Sequence, residues 1–374
     1  MTSPIRSALS SDKPRFVGSQ VKLEKLCSKG KSSLRQKDLL NDGPYPVYGA
    51  SGVIGTMSTY QNDAPCVCVV KDGAGVGHAM KCRARSSVLG TMQALVPSEG
   101  INCDYLLHLV RSLKLGEGFT GSTIPHIYFR DYGKRLVPVF PYEQQIAIAS
   151  MLNGIEALVD QRELMLRKCD SLVKSRFVEM FGSRDVGYKY PSKPLGELAT
   201  FKSGASLPKD REQSSGDVIY AKVGDLNLTE NSLAIVTSRV FVDAKTAGKH
   251  IIPEGAVVFP KRGGAIATNK KRITVQECCL DLNLMSVIPG KKLGTRYLLA
   301  WFDSFDLADI ANGSAVPQIN NKDLNPLQIP LPPLSLQQEF ATCVAQVDKL
   351  RFAIQEQIKK LETLKASLMQ EYFG

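Results

Sequence analysis

This chain reads itself twice. Gly121-Ser122-Thr123-Ile124-Pro125-His126-Ile127 returns 192 residues later as Gly313-Ser314-Ala315-Val316-Pro317-Gln318-Ile319. Asp131 and Asp323, Pro138 and Pro330, and Pro141 and Pro333 keep the same interval, and Gln144-Gln145 answers Gln337-Gln338 after a one-residue slip. Glu179-Met180-Phe181-Gly182 matches Glu371-Tyr372-Phe373-Gly374, again 192 apart. A repeat of this extent makes a supersecondary unit that occurs twice, so the 374 residues are expected to form two modules and not one core.

After each Pro-rich, strand-like segment (Leu136 to Pro141, Leu327 to Pro333) come some forty residues with little Gly and no Pro. They read as helices about 60 Å long, which need a partner along most of their length. In the first, Ile148, Leu152, Ile155, Val159, Leu166, Cys169, Val173 and Met180 keep alternating spacings of four and three, with Arg162 and Arg176 filling the gaps. In the second, Phe340, Val344, Val347, Ile354, Ile358, Leu361, Leu368 and Tyr372 do the same around Arg351 and Lys365. The chain must return across a whole module between the helices, so mutual packing is expected to be an antiparallel coiled coil.

Short apolar runs bounded by Gly and Pro, such as Pro65 to Val70 and Gly255 to Phe259, read as strands, and Cys103 to Leu113 and Thr295 to Phe305 read as short helices. The expected class is α+β, two repeated mixed modules each followed by a long helix. The expected order is an N-terminal extension (1–20), a module (21–141), the central helix (142–182), a linker (183–192), the second module (193–333) and the C-terminal helix (334–374).

Catalytic signatures are missing from the sequence. Gly30-Lys31-Ser32 lacks the glycine that a phosphate loop needs five residues earlier, where Lys25 stands, and Gly73 to Gly77 lacks the dinucleotide spacing and reads as a turn. There is no HExxH, no GxSxG, and Asn325-Pro326 is followed by Leu-Gln in place of the Pro-aromatic of an adenine methyltransferase loop. Nine scattered cysteines without a CxxC, and four histidines, predict no structural metal and a reducing, cytoplasmic setting. No apolar run is long enough to span a membrane, and residues 1–16 lack a secretory signal pattern.

The charge points to a polyanion. The net charge is +11, divided as +7 over residues 1–187 and +4 over the rest, so both modules share it. Basic clusters lie at Lys22 to Lys37, at Lys71, Lys81, Arg83 and Arg85, and at Lys261, Arg262, Lys270, Lys271 and Arg272, the last free of acids. Such groups attract phosphates without sequence preference. Tyr48, Ser51, His78, Ser122, Thr123, His126, Asn269, Ser314 and Gln318 are candidates to read bases or to fix backbone register, although the two Gly-Ser-x-x-Pro-x-Ile motifs serve equally well to shape a turn.

Tyr45-Pro46-Val47-Tyr48-Gly49-Ala50-Ser51-Gly52, the paired Gly-Ser-x-x-Pro-x-Ile motifs, Gly255 to Asn269 and Pro330-Leu-Pro-Pro-Leu-Ser-Leu-Gln-Gln-Glu339 resemble the specificity subunits of type I restriction-modification systems over residues 21–374. The second module departs from the first, carrying Val218 to Leu226 with Lys222, similar to another variant in the family. The resemblance implies two target recognition domains held apart by the helices, a non-catalytic role, and double-stranded DNA as partner. It further implies two DNA methyltransferase subunits docked on the chain, with restriction subunits as an optional addition. S-adenosylmethionine, ATP and Mg are then expected in those partners and no cofactor in this chain. A free-standing DNA-binding regulator is the alternative.

Overall fold

A computed structural model describes residues 19–40, 42–119 and 125–374. The chain divides into two compact units, Met1–Glu163 with Glu356–Gly374, and Leu164–Gln355. The division cuts through both long helices, Tyr142–Phe181 and Leu334–Phe373, so each unit contains one mixed α+β module and a part of each helix.

In the first unit, Cys27–Lys29, Met92–Pro97, Cys66–Val70 and Ala79–Cys82 form an antiparallel sheet in that order. The run Cys66–Val70 is buried on both faces, which is why it reads as continuously apolar. Strand alternation sends Val67 and Val69 toward the helix Cys103–Ser112 and sends Cys66, Cys68 and Val70 into a separate cluster with Val88 and Met92. A smaller sheet pairs Tyr45–Gly49 with Gly52–Met57 and Ser87–Val88. The second unit has a five-stranded sheet, ordered Ala199–Ser203, Leu284–Pro289, Val257–Pro260, Arg272–Thr274 and Ala234–Ile235. Here Val257 and Phe259 face the helix Thr295–Phe302, while Val258 faces the other way.

The long helices run antiparallel within each unit. In the first, Arg162 Nε donates to Gln357 Oε1 at 2.7 Å, and Lys365 meets Glu156. In the second, Arg351 reaches Asp170 at 2.6 Å and Arg176 reaches Glu339 at 2.9 Å. All four basic interruptions of the apolar spacing are thus met by a polar partner on the facing helix. Ile148, Leu152, Ile155, Cys169, Phe340, Val344, Val347 and Ile354 are buried, whereas Val159, Leu166, Ile358 and Leu361 are only half-covered. At its end the central helix leaves the expected spacing: Phe177 and Phe181 are buried at 2% and 0% exposure beside Arg176 and Met180, because the aromatic core of the second unit takes them up.

The expected linker is a tight hairpin pairing Gly182–Ser183 with Gly187–Tyr188. Gly182 has φ +83°, and a Cβ there would overlap the Gly187 carbonyl, so the helix ends at this glycine.

One buried constellation occurs in both units at the 192-residue interval. Gln145 Oε1 accepts from Asn102 N at 2.9 Å while its Nε2 donates to the carbonyls of Gly100 and Phe140. Gln337 Oε1 accepts from Gly294 N at 2.8 Å while its Nε2 donates to those of Lys292 and Pro332. Likewise Tyr105 Oη donates to Pro138 O and Tyr297 Oη to Pro330 O. Gln145 therefore corresponds to Gln337 with no slip, correcting the alignment read from the Gln-Gln pairs. Each amide ties the first turn of a long helix to the start of a short one by satisfying three otherwise orphaned backbone groups.

Candidate nucleic-acid interface

In each unit the loop following the central strand is clamped by the Gly-Ser-x-x-Pro-x-Ile segment. In the first, Gly73 N donates to Pro125 O at 3.0 Å and Ile127 N to Lys71 O at 3.0 Å. In the second, Gly263 N donates to Pro317 O at 2.8 Å and Ile319 N to Lys261 O at 2.9 Å. Both glycines have positive φ, +97° and +68°, so the turn that receives the motif is glycine-dependent in each copy. The Pro-x-Ile end of each motif thus braces a turn that carries basic residues, Lys71 in the first unit and Lys261 and Arg262 in the second.

The side chains on the two clamps differ. In the first unit His126 Nδ1 lies 2.7 Å from Asp72 Oδ1, Lys71 is half-buried and His78 is exposed. His126 also stacks near-parallel on Tyr128 at 6.4 Å, and the Arg130 guanidinium covers the Tyr128 ring at 4.8 Å. Tyr128 and Arg130 were not singled out from the sequence; the alternating His-x-Tyr-x-Arg spacing was the available signal. Ser122 and Thr123 lie outside the described residues. Tyr48 and Arg83 come together, with Arg83 N donating to Tyr48 Oη at 3.4 Å and its guanidinium to Pro44 O, and Ser51 lies exposed in the adjoining turn. Lys81 is exposed but carries Asp104 at 2.8 Å.

In the second unit Arg262 is exposed and its backbone bridges that of Gln318. Lys261 Nζ donates to Ser203 Oγ at 2.8 Å; burial, with Arg262 next in weight, lowers its pKa. Ser314 is exposed and donates to Val316 O. Lys222 lies apart, bound by Glu212 at 2.7 Å, and that hydrogen bond raises its pKa.

In the run 269–272, expected to contact phosphates, Lys271 is buried and Asn269, Lys270 and Arg272 are half-buried. Asn269 adopts φ +52° and its Oδ1 accepts from Leu307 N and from Lys271 Nζ, so its side chain is a structural tie. The Lys271 side chain is 1% exposed and its ammonium donates to Phe305 O at 3.0 Å; burial lowers its pKa. Arg272 spends its guanidinium on the carbonyls of Leu226, Asn231 and Lys271. Lys270 is half-buried and held by Asn227. Proximity in sequence makes these cations look like one patch, yet only Arg272 lies in a strand, Arg272–Thr274, and Lys271 is held by Asn269 and the Phe305 carbonyl.

A thiol cluster also escaped the sequence reading. Cys66 and Cys82 are cross-strand partners and Cys68 lies on the same face, so that the three Sγ atoms fall within 4.8 Å of one another, with 3.7 Å between Cys66 and Cys68. The contacts with Cys66 and then Cys82, followed by burial, hold the Cys68 thiol far above its ordinary pKa. In these apolar surroundings neutral thiols pack as small hydrophobes. Thiol labelling near pH 8 is expected to leave all three unmodified in the folded chain and to reach them on denaturation; labelling of Cys66 or Cys82 in the native state would contradict this packing.

Residues 189–363 match the family described as the type I restriction modification DNA specificity domain. The chain is 26% identical over 230 residues to the MjaIX type I restriction enzyme specificity subunit of Methanocaldococcus jannaschii, covering 54% of this chain and 48%, about half, of that protein. It is 21% identical over 401 residues to the EcoDI specificity subunit of Escherichia coli, covering 96% and 86%. Among solved structures, the S subunit of a type I restriction-modification system from M. genitalium aligns with a TM-score of 0.60 at 14% identity, covering 97% of this chain and 98% of that one. A chain from a study of complex assembly and conformational transition in the type I system aligns at 0.58 with 17% identity, covering 96% and 98%. These likenesses concern the fold. No described helix is long and apolar enough to cross a membrane.

Proposed function

Because the chain belongs to the specificity subunits of type I restriction-modification systems, we propose that it selects a bipartite double-stranded DNA target, one half-site for each module. The modules 21–141 and 193–333 are then the two recognition domains, and the loops that clamp Lys71 and Lys261 lie on their reading surfaces. The observation that carries this reading is the repeated clamp with unlike side chains. His126 on Asp72 beside Tyr128 and Arg130 forms one surface, and Arg262 with Gln318 the other. Equivalent backbones present different donors and acceptors, so two unlike half-sites with an unread spacer are the natural target. Cationic groups near the clamps, Lys71 and Arg262 among them, supply phosphate attraction.

The chain itself is non-catalytic in this reading, and its helices form a coiled-coil scaffold for two methyltransferase subunits, with restriction subunits as further partners. S-adenosylmethionine, ATP and Mg belong to those subunits. Support comes from a second apolar line outside the buried seam. Met151, Leu158, Met165 and Leu172 recur every seven residues along the central helix, each at least 36% exposed. On the C-terminal helix Leu350 and Leu364, exposed by 47% and 48%, stand 192 residues after Leu158 and Leu172. Exposed apolar side chains on a helix mark a surface that a partner covers, and the two pairs at the repeat interval, Leu158 with Leu350 and Leu172 with Leu364, suit two copies of one partner.

Co-expression of the chain with its methyltransferase and mapping of methylated genomic sites tests the reading. The expected result is a split recognition sequence. One uninterrupted motif would overturn it, as would unchanged methylation with Leu158 and Met165 both replaced by Lys.

A further inference from the structure

The residues 269–272 that turn away from the expected DNA-facing role form one wall of a recess of about 590 Å³, lined entirely by the second unit. The end of the central helix around Lys174, the Ser232–Leu233 segment and the helix carrying Arg296 and Leu299 form the others. A volume of this size falls in the range of small-molecule sites.

Its charge is unbalanced. Six cations line it, Lys174, Lys270, Lys271, Arg272, Arg296 and Arg351, against the carboxylates of Asp170, Asp185 and Asp303. Asp170 is taken by Arg351 at 2.6 Å, and Asp348, behind the wall, takes Arg296 at 3.0 Å and Arg351 at 2.8 Å. Asp303 stands 4.0 Å from Lys271. Lys270 and Arg272 are met by neutral oxygens, which accept hydrogen bonds without cancelling charge. Lys174 is exposed, and Arg351 Nε is buried with no acceptor. Asp348 Oδ2 is likewise buried without a hydrogen-bond partner, so the excess is one of charge, six cations against four carboxylates with Asp348 included, and burial works against the charged forms of Lys271 and Arg272. Asp348 with Arg296 and Arg351 repeats the first unit's cluster of Glu156, 192 residues earlier, with Arg111 and Lys365, so the cations in excess of that shared cluster are Lys174, Lys270, Lys271 and Arg272.

We propose that this recess binds a small organic phosphate, of which a nucleoside di- or triphosphate is the class that fits. The phosphate chain would lie against Lys174 and Lys270, with Lys271 and Arg272 adding positive potential from behind the wall, and the ring against the apolar side formed by Val173, Leu233 and Leu299. A duplex presents its phosphates on a convex surface, whereas a flexible phosphate chain can enter the recess between Lys174 and Lys270.

The test is calorimetric titration of the full chain with ATP, with adenosine and pyrophosphate as separate probes. One ATP per chain is expected, with pyrophosphate binding about tenfold more weakly and adenosine not at all. Lys174→Glu should weaken ATP binding at least about tenfold, since Lys174 is exposed and its replacement leaves the core intact, whereas Lys209→Glu, an exposed lysine of the same unit outside the recess, should change it less than about twofold. Circular dichroism of each variant confirms that the fold is kept. No saturable ATP binding, equal loss in both variants, or full displacement of ATP by a DNA duplex would overturn the site. Pyrophosphate binding as tightly as ATP would overturn the nucleotide assignment.

Discussion

Leu152→Asp is expected to unfold the first unit at ordinary temperatures. Leu152 is 0% exposed and packs in the cluster that includes Leu106, Val110, Ile148 and Ala149, where the central helix meets the short helix Cys103–Ser112. Removing the side chain alone would cost about 2 to 5 kcal/mol, and a carboxylate left without a partner adds to that. The sum is comparable to the whole stability of a domain, about 5 to 15 kcal/mol. The introduced carboxyl would have a folded-state pKa raised above its unfolded value. The unfolded chain gives up its proton first as pH rises, so the added destabilisation is smallest below the unfolded pKa of about 3.9 and grows as pH rises through the folded one. Thermal melting and limited proteolysis near pH 7 should show the unit lost. Ile358→Asp provides the comparison: Ile358 is half-covered, and its loss should be well tolerated by the same measures. A Leu152→Asp protein that melts within about 2 °C of the parent would refute the core assignment. In the proposed assembly, failure of this unit removes one half of the target reading and the helix surface beside it.

Phe340→Ala should destabilise the second unit by about 3 to 5 kcal/mol. The Phe340 ring is 0% exposed and lies 5.7 Å from Phe177 and 5.6 Å from Phe181, both edge-on at 76°. Tyr297 completes the group, stacked on Phe177 at 5.6 Å and edge-on to Phe181 at 4.9 Å. Such pairs add about 0.5 to 1.5 kcal/mol beyond area burial. The equivalent group in the first unit is Tyr105 with Phe373 at 5.5 Å, in a cluster containing Ile148 and Met369. Two rings are there replaced by aliphatic chains, so Ile148→Ala should cost less than Phe340→Ala, and Phe340→Leu should recover part of the loss. Denaturant melts of the three variants measure the order. An equal cost for Ile148→Ala and Phe340→Ala would mean that the aromatic cluster contributes nothing specific.

These rings also explain the unit boundaries. Phe181 at the end of the central helix packs in the second unit, and Phe373 at the end of the C-terminal helix packs in the first. Each module is thus closed by the beginning of one long helix and the end of the other. Linear segmentation, which assigns each helix to the module before it, cannot see this exchange.

The sequence by itself determined the local and periodic features. The repeat interval, the two forty-residue helices, the burial of Ile148, Leu152, Phe340 and Val344, and the glycine-bearing turns all follow from spacing and backbone preference, which act over a few residues. The tertiary structure alone decided what depends on chains meeting from afar. Cys82 joins Cys66 and Cys68 only because two strands pair in that register. Gln145 is seen to match Gln337 only once both amides are found on the same backbone groups, since neighbouring glutamines look alike in a string of letters. Lys271 and Arg272 have the composition of a DNA-binding patch, but a side chain's exposure is set by what packs over it, and here Phe305 and the carbonyls of Leu226 and Asn231 do so. Basicity is written in the sequence, whereas the direction in which a basic side chain points belongs to the fold.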